Sequence, residues 1–319
     1  MNQVLKRIQS IGIVPVVVLN DPKDAHPLAK ALCEGGLPCA EVTFRTDAAE
    51  ESIRIMREAF PDMLVGAGTV LTTEQVDRAV AAGASFIVSP GMNPKVIQHC
   101  IEKGVPITPG VSCPTDIETG LLFGLEVLKF FPAEASGGLA AIKAMSAPYP
   151  MVKFMPTGGV NEKNIAAYIG FDKIVACGGS WMVSRDLVEA GNFNKIKELT
   201  NKAMLSMLGF ELMHVGMNCE TKEEADMAAG MFEKMFGFPK KEGNRSFFAG
   251  TALEVMKVPY LGAKGHIAIG TNSVLRAVNF LEGQGFHVNM ETAGYKGDKL
   301  TSVYLTEEVA GFALHLLQK

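Results

Sequence analysis

Two charged residues that interrupt apolar segments give the first indication of chemistry in this chain. Lys129 lies in the segment VLKFFP, between aliphatic and aromatic side chains. Burial there would disfavour the ammonium form and favour a free amine, which can attack a carbonyl carbon. Glu41 lies in CAEVTFR, where a buried carboxylate can serve as a general base or can pair with Arg45. The position of Lys129 alone is equally compatible with an ordinary charged residue that points outward between helices.

Polar and glycine-rich ends of other apolar segments predict binding groups for a small anionic substrate. Arg45 offers a planar fork of donors that suits a carboxylate. Glycine pairs end the segments VKFMPTGG and IVACGGS, and successive backbone N–H groups in such turns commonly bind phosphate. Ser180 would add a hydroxyl donor there. Glycine pairs also mark ordinary turns, so their place in the fold decides between the two interpretations.

Eight short β-rich segments alternate with amphipathic helical segments between Gly12 and Trp181. This alternation requires parallel strands joined by crossovers, and eight of them favour a (β/α)8 TIM barrel over an open doubly wound sheet. No glycine-rich dinucleotide fingerprint follows the first strand, which weakens the open-sheet alternative. Such barrels place their chemistry at the C-terminal ends of the strands and commonly bind phosphate after the seventh and eighth. The segments are GIVPVVVL, CAEVTF, LVGAGTV, FIVSPG, PITPGV, VLKFFP, VKFMPTGGV and IVACGGSW.

An amine nucleophile, a carboxylate base, an arginine fork and a phosphate site together predict cleavage of a carbon–carbon bond next to a ketone. The reaction would proceed through an iminium ion that accepts electrons from the breaking bond. Aldolases that use a catalytic metal bind it through histidines and carboxylates. The two histidines of this segment, His26 and His99, lie on helical segments away from the strand ends. We therefore expect no metal and no cofactor in the barrel.

The composition is that of a globular protein without a nucleic-acid partner. Of 319 residues, 48% are hydrophobic and 20% are charged, and the formal net charge is -4 with no polybasic segment. Residues 11–19 follow a basic start as in a signal peptide, but Pro15 and the turn sequence NDP predict a buried strand. No other segment is long enough to span a membrane. The six cysteines show no metal-binding or redox spacing, so we expect a reduced, cytoplasmic protein.

Seven motifs between residues 4 and 205 resemble the 2-keto-3-deoxy-6-phosphogluconate (KDPG) aldolases, a class I family that includes 4-hydroxy-2-oxoglutarate (KHG) aldolases. The motifs EVTFRT, VGAGTV, SPG, TPGVS, LKFFPAE, PTGGV and GGSW stand in the family's order. The resemblance implies a homotrimer that cleaves KDPG to pyruvate and glyceraldehyde 3-phosphate. KHG, which would yield pyruvate and glyoxylate, is a further candidate substrate. The alternative is a non-catalytic sugar-phosphate-binding barrel whose second domain senses or assembles, and the intact Lys129 and Glu41 argue against it.

The resemblance also implies roles for individual residues. Lys129 would form the Schiff base, Glu41 would accept and donate protons through water, and Thr157 would orient that base. The remaining residues would bind the substrate: Arg45 and Thr69 its pyruvyl carboxylate, and Gly158, Gly159, Gly179 and Ser180 its phosphate.

The end of a predicted helix marks the start of a second domain. The helix from Asn194 to Leu208 stops at Gly209, so we assign residues 1–208 to the barrel and residues 209–319 to a smaller α+β domain. This domain contains a weak internal repeat, and each copy predicts a β-α-β-β-β module whose first strand carries a histidine. The first copy begins with FELMHVGMN and the second with GHIAIG.

The paired modules resemble the vicinal oxygen chelate fold of glyoxalases, antibiotic-resistance proteins and extradiol dioxygenases. That family places metal ligands on the first and last strands of each module. The matching residues here are His214, Glu254, His266 and His315, and all four can bind a divalent metal. A glutamate is more usual at the last of these positions. The alternative is a degenerate copy whose histidines are core or interface residues, because many members of that fold bind no metal.

Overall fold

The chain folds as two compact units. The computed structural model describes residues 1–319, and the units are Met1–Met207 and Leu208–Lys319. The division lies one residue before the boundary expected from the sequence. None of the helices in either unit combines the length and the apolar character that crossing a membrane requires.

The first unit is an eight-stranded parallel barrel surrounded by helices, so the predicted fold class is confirmed. Its strands are β1 (Ile13–Val17), β2 (Cys39–Thr43), β3 (Leu64–Gly68), β4 (Ile87–Ser89), β5 (Ile107–Val111), β6 (Val127–Phe130), β7 (Lys153–Pro156) and β8 (Cys177–Gly179). Its helices are α1 (Gln3–Ile11), α2 (Ala25–Glu34), α3 (Ala49–Ala59), α4 (Thr73–Ala81), α5 (Pro94–Glu102), α6 (Pro114–Leu122), α7 (Gly138–Ser146), α8 (Ile165–Ile169), α9 (Arg185–Glu189) and α10 (Phe193–Leu208).

The strands follow the order β7-β6-β5-β4-β3-β2-β1-β8, and isolated parallel bridges, including one between Thr157 and Gly178, join the two ends of the sheet. Every residue of β2, β3 and β5 is buried, which explains why these strands are mostly apolar in the sequence. A Cβ atom on Gly110 would come within 2.0 Å of the carbonyl oxygen of Pro90, so the approach of these two segments depends on glycine.

Local signals in the sequence set the helix boundaries. Thr72 caps α4 with a complete capping box, and Asn93 caps α5 ahead of a proline at its start. The last helix of the barrel region, α10, is followed by Gly209, whose φ of 55° is the left-handed conformation that ends helices. The turns that follow the strands hold further candidate residues, among them Arg45 and Thr69.

The second unit contains a mixed eight-stranded sheet and two helices. Its elements are β9 (Glu211–Asn218), α11 (Lys222–Phe236), β10 (Lys240–Glu242), β11 (Ser246–Ala249), β12 (Leu253–Met256), β13 (Gly265–Thr271), α12 (Val274–Gly283), β14 (Val288–Lys296), β15 (Lys299–Val309) and β16 (Phe312–Gln318). The order β10-β11-β12-β9-β13-β16-β15-β14 sets two β-α-β-β-β modules side by side, as predicted. Antiparallel pairing of β9 with β13, the first strand of each module, joins them.

Candidate active site

A lysine and a glutamate from opposite parts of the barrel meet in its interior. Lys129 on β6 and Glu41 on β2 place Nζ and Oε1 3.5 Å apart, although the residues are 88 positions apart in the sequence. Their side chains are only 7% and 1% exposed. The second carboxylate oxygen of Glu41, Oε2, is buried and has no hydrogen-bond partner. An amine therefore lies beside a carboxylate oxygen that is free to accept a proton.

The Glu41 carboxylate occupies space that a glycine leaves open. A Cβ atom on Gly68, the last residue of β3, would lie 2.2 Å from Glu41 Oε1 and 2.6 Å from its Cγ. The position therefore tolerates no larger residue while the carboxylate keeps its place. Gly68 belongs to the VGAGTV motif, but its steric role is visible only in the folded chain.

An aromatic ring covers the amine of Lys129. The Nζ atom lies 5.0 Å from the centroid of the Phe131 ring, which is within range of a cation–π interaction. Phe131 comes directly after β6 and begins a turn. The sequence predicts only that Phe131 is an apolar neighbour of the lysine, because the direction of its side chain depends on the fold.

The two predicted carboxylate ligands lie together at the next strand ends. Arg45 Nε donates a hydrogen bond of 3.2 Å to Thr69 Oγ1. Thr69 has a φ of 55°, a left-handed conformation that a β-branched residue rarely adopts. Such strain is found preferentially at functional sites, where it aims a side chain or a backbone group at a ligand.

Thr157 and the glycines of β8 form the adjoining wall. The hydroxyl oxygen of Thr157 is buried without a hydrogen-bond partner. A Cβ atom on Gly178 would lie 2.3 Å from that oxygen, so a glycine again makes room for a polar side chain. Gly179 is the last residue of β8 and Ser180 follows it. The bridge between Thr157 and Gly178 therefore brings the predicted phosphate ligands from β7 and β8 side by side.

The glycine turn, residues 158–159, has a conformation that suits an anion. Gly158 and Gly159 have φ values of 97° and 85°, which residues with a Cβ avoid. The side-chain amides of Asn161 and Asn164 donate hydrogen bonds of 2.9 and 3.2 Å to the carbonyl oxygen of Gly159. The N–H groups of Gly159 and Val160 donate to no other backbone group. Successive free N–H groups of this kind form anion-binding concavities.

Comparison with known proteins agrees with this geometry. A family described as "Aldolase: KDPG and KHG aldolase" matches residues 4–199, more than half of the chain. The chain belongs to this family. A 2-dehydro-3-deoxy-phosphogluconate aldolase from Treponema pallidum is 48% identical over 204 residues, which are 64% of this chain and 97% of the relative. The KHG/KDPG aldolase of Escherichia coli K12 is 40% identical over 192 residues, 60% of this chain and 90% of the relative.

A solved aldolase of this family has the same fold. The KDPG aldolase of Legionella pneumophila, whose structure holds pyruvate as a covalent carbinolamine intermediate, is 38% identical, with a TM-score of 0.61. The match covers 62% of this chain and 97% of that one. The barrel is thus a class I aldolase with a complete counterpart among known enzymes. The family match ends at residue 199, before the second unit begins.

The second unit of this aldolase brings together the four residues predicted as metal ligands. His214 is on β9, Glu254 on β12, His266 on β13 and His315 on β16. Glu254 Oε2 lies 3.0 Å from His214 Nε2 and 3.1 Å from His266 Nε2, and the two Nε2 atoms are 3.1 Å apart. One ligand atom from each of the three histidines falls within a span of 4.8 Å. We refer to these four residues as the histidine cluster.

Neighbouring side chains hold the histidine cluster in place. Ser246 Oγ donates a hydrogen bond of 2.6 Å to the other carboxylate oxygen of Glu254. The Tyr304 ring stacks on the His315 ring with a centroid distance of 4.5 Å and an interplanar angle of 11°. A Cβ atom on Gly216 would lie 2.1 Å from His266 Cε1, so this glycine provides the space for the imidazole. Sequence reasoning missed these supporting residues because they act only through the fold.

Burial and mutual contact shift the ionisation of the cluster. Burial, together with the neighbouring His266 and His214, lowers the pKa of His315 to about 3. Burial would raise the pKa of Glu254, but hydrogen bonds from His214, His266 and Ser246 outweigh it and hold that pKa well below its usual range. Neutral imidazole and ionised carboxylate are the forms that bind metal ions.

Replacement of Gly68 tests the steric account of the Glu41 carboxylate. In a Gly68→Ala variant the new Cβ atom would lie only 2.2 Å from Glu41 Oε1, so it would displace the carboxylate. A shift of this kind lowers kcat for aldol cleavage by about 100-fold. The measurement is steady-state release of pyruvate, with circular dichroism as a check of folding. The matched control is Gly283→Ala, where a Cβ would meet nothing within 4 Å. Wild-type kcat in the Gly68→Ala variant would contradict the account.

Proposed function

We propose that the barrel cleaves KDPG to pyruvate and glyceraldehyde 3-phosphate through a Schiff base on Lys129. The observation that carries this proposal is the buried pair of Lys129 and Glu41, with 3.5 Å between Nζ and Oε1. Burial removes the competing hydration of both groups, and the free oxygen of Glu41 provides a proton acceptor within reach of a substrate bound to the lysine.

The reaction follows from this arrangement. The amine of Lys129 adds to the C2 ketone, and loss of water gives an iminium ion. Glu41 then takes the proton of the C4 hydroxyl through water, the C3–C4 bond breaks, and its electron pair moves toward the iminium nitrogen to form an enamine. The aldehyde product departs. Protonation of the enamine at C3 and hydrolysis by water release pyruvate and regenerate the amine.

The other predicted residues bind the two ends of the substrate. Arg45, held by Thr69, would bind the carboxylate of the pyruvyl part. The glycine turn, Gly158 and Gly159, would bind the phosphate through backbone N–H groups, and Gly179 and Ser180 at the end of β8 would complete the site. Thr157, whose buried hydroxyl has no protein partner, would orient the proton-transferring group.

The phosphate-binding features favour KDPG over KHG as substrate, because KHG has no phosphate for the glycine turn to bind. The relative from Escherichia coli is named for both substrates, so KHG is a candidate second substrate. The trimer expected from the resemblance belongs to this proposal, as does a reducing cytoplasmic location, which the scattered spacing of the cysteines in the sequence supports. A non-catalytic barrel is not favoured, because the matched relatives are named as aldolases.

Covalent trapping tests the role of Lys129. Borohydride reduction in the presence of pyruvate should add one reduced pyruvyl group to the wild-type chain, and peptide mass spectrometry should locate it at Lys129. A Lys129→Met variant should remain unmodified. The matched control is Lys153→Met, because Lys153 is the lysine on the neighbouring strand β7, and this variant should be modified as the wild type is. An unmodified wild-type chain would overturn the proposal.

For the second unit, we propose a divalent metal site built from His214, Glu254, His266 and His315. The observation that favours it is the triangle of ligand atoms with edges of 3.0, 3.1 and 3.1 Å. Ligand atoms at about 2.1 Å from a metal in adjacent octahedral positions are separated by about 3.0 Å. The buried Nε2 atom of His315 has no hydrogen-bond partner and is available as a fourth ligand.

The chemistry of the donors narrows the choice of metal. Three imidazoles and one carboxylate suit zinc, iron, nickel or copper better than calcium or magnesium, which prefer oxygen ligands. Ser246 and Tyr304 would fix the orientation of two of the ligands, as supporting residues do in metal sites. A bound ion would act as a Lewis acid toward an oxygen-containing ligand.

Elemental analysis tests the metal site. Protein purified without chelator, or reconstituted with zinc, iron, nickel or copper, should hold one metal ion per chain. A His214→Ala variant should lose the stoichiometric ion. The control is His287→Ala, because His287 is exposed and pairs with Glu307 away from the cluster. Absence of metal in the wild type after purification and reconstitution would identify the cluster as part of the core.

A further inference from the structure

A tyrosine and a glutamate outside the assigned site form a hydrogen bond with each other, and the glutamate contacts the glycine turn. Tyr168 is on α8 and is 2% exposed, and its hydroxyl donates a hydrogen bond to Glu134 Oε1. Glu134 follows β6, five residues after Lys129. Glu134 belongs to the LKFFPAE motif, but the reaction proposed above gives it no task. Burial and the neighbouring Glu134 carboxylate raise the pKa of the Tyr168 hydroxyl, which therefore stays a proton donor.

Glu134 touches both glycines of the turn. Its backbone N–H donates a hydrogen bond of 3.0 Å to the carbonyl oxygen of Gly158. Its side chain lies against Gly159, where a Cβ atom would come within 2.5 Å of Glu134 Cγ. The Glu134 side chain can contact Gly159 only in its present position, and the hydrogen bond from the Tyr168 hydroxyl holds the side chain there.

The opposite side of the turn is held separately. Asn161 and Asn164 bind the carbonyl oxygen of Gly159, which orients the following peptide group. Two consecutive glycines otherwise have a large choice of backbone conformations. Holding them before the substrate arrives lowers the entropy that binding must overcome. The side chain of Glu134 therefore completes a clamp around Gly159.

We propose that Tyr168 and Glu134 are positioning residues that hold the glycine turn in its phosphate-binding conformation and so determine the preference for phosphorylated substrates. This inference rests on the phosphate-binding role proposed for that turn. Neither residue takes part in bond making or proton transfer. Loss of the Tyr168–Glu134 hydrogen bond loosens the turn, weakens binding of the phosphate and leaves the Lys129–Glu41 pair unchanged.

The test compares two substrates in a Tyr168→Phe variant. The KM for KDPG should rise by about tenfold, the effect of losing one hydrogen bond to a charged group, with kcat little changed. The kcat/KM for KHG should stay at the wild-type value, because KHG has no phosphate. The inhibition constant of inorganic phosphate should rise by the same factor as the KM for KDPG. The matched control is Tyr149→Phe, where another tyrosine of the barrel donates to a glutamate, Glu118, at 3.0 Å.

Variants of Glu134 keep the proposal falsifiable if Tyr168→Phe does not fold. Glu134→Ala should reproduce the rise in KM for KDPG, whereas Glu134→Gln, which keeps an acceptor for the tyrosine hydroxyl, should restore it to near the wild-type value. An unchanged KM for KDPG in Glu134→Ala would overturn the proposal. Equal losses of kcat/KM with both substrates would also overturn it, since they would indicate a general structural role.

The wild-type enzyme separates this inference from the function on which it rests. Turnover of KDPG with competitive inhibition by inorganic phosphate establishes the phosphate site independently of Tyr168. Wild-type protein without either property would overturn the proposed function and this inference together. Wild-type protein with both properties, combined with a Tyr168→Phe variant whose KM for KDPG and inhibition constant for phosphate equal the wild-type values, would overturn the inference alone.

Discussion

The buried contact between Lys129 and Glu41 is the interaction on which the functional part of this structure depends. Two ionisable groups whose side chains are 7% and 1% exposed have lost nearly all contact with water. Removing such groups from water is costly, and the attraction between them often fails to offset that cost. A barrel selected for stability alone would fill the same volume with apolar side chains. The pair is better explained by what an amine and a carboxylate can do together in the absence of bulk water.

Much of the surrounding backbone serves to accommodate this pair and the substrate. Gly68 leaves space for the Glu41 carboxylate, and Gly178 leaves space for the Thr157 hydroxyl. The residues involved come from five strands or from the turns that follow them, and the parallel order of the barrel brings those strand ends to one face. Glycines in this barrel therefore act in two ways, by making room for polar side chains and by forming the turn that leaves the N–H groups of Gly159 and Val160 without a backbone acceptor.

Most of the architecture could be predicted from the sequence because its signals are local. The eight strands alternate with helices, and Gly209 ends the last helix of the barrel region. The β-α-β-β-β repeat was likewise visible as repeated order and as a histidine in each first strand. The lysine and the glutamate could be named because charged residues within apolar segments are rare, and the family motifs identified them independently.

The structural details that could not be predicted from the sequence are contacts between side chains. Tyr168 and Glu134 are separated by 34 positions, and nothing in either local sequence shows that their side chains meet. Lys129 and Phe131 are close in sequence, but the contact between the amine and the ring depends on how the chain turns after β6. In the second unit, the four ligand-type residues were predicted by resemblance, whereas their separations and the supporting Ser246 and Tyr304 required the folded sheet.

The central claim is that Glu41 moves protons on a substrate held by Lys129. It is tested most directly by exchange of the methyl hydrogens of pyruvate in deuterated water, followed by proton NMR. The account predicts exchange by the wild-type enzyme and none by Lys129→Met. A Glu41→Gln variant should still form the borohydride-trapped adduct but exchange more slowly by a factor of about 100 or more. Exchange at the wild-type rate in Glu41→Gln, or in Lys129→Met, would contradict the account.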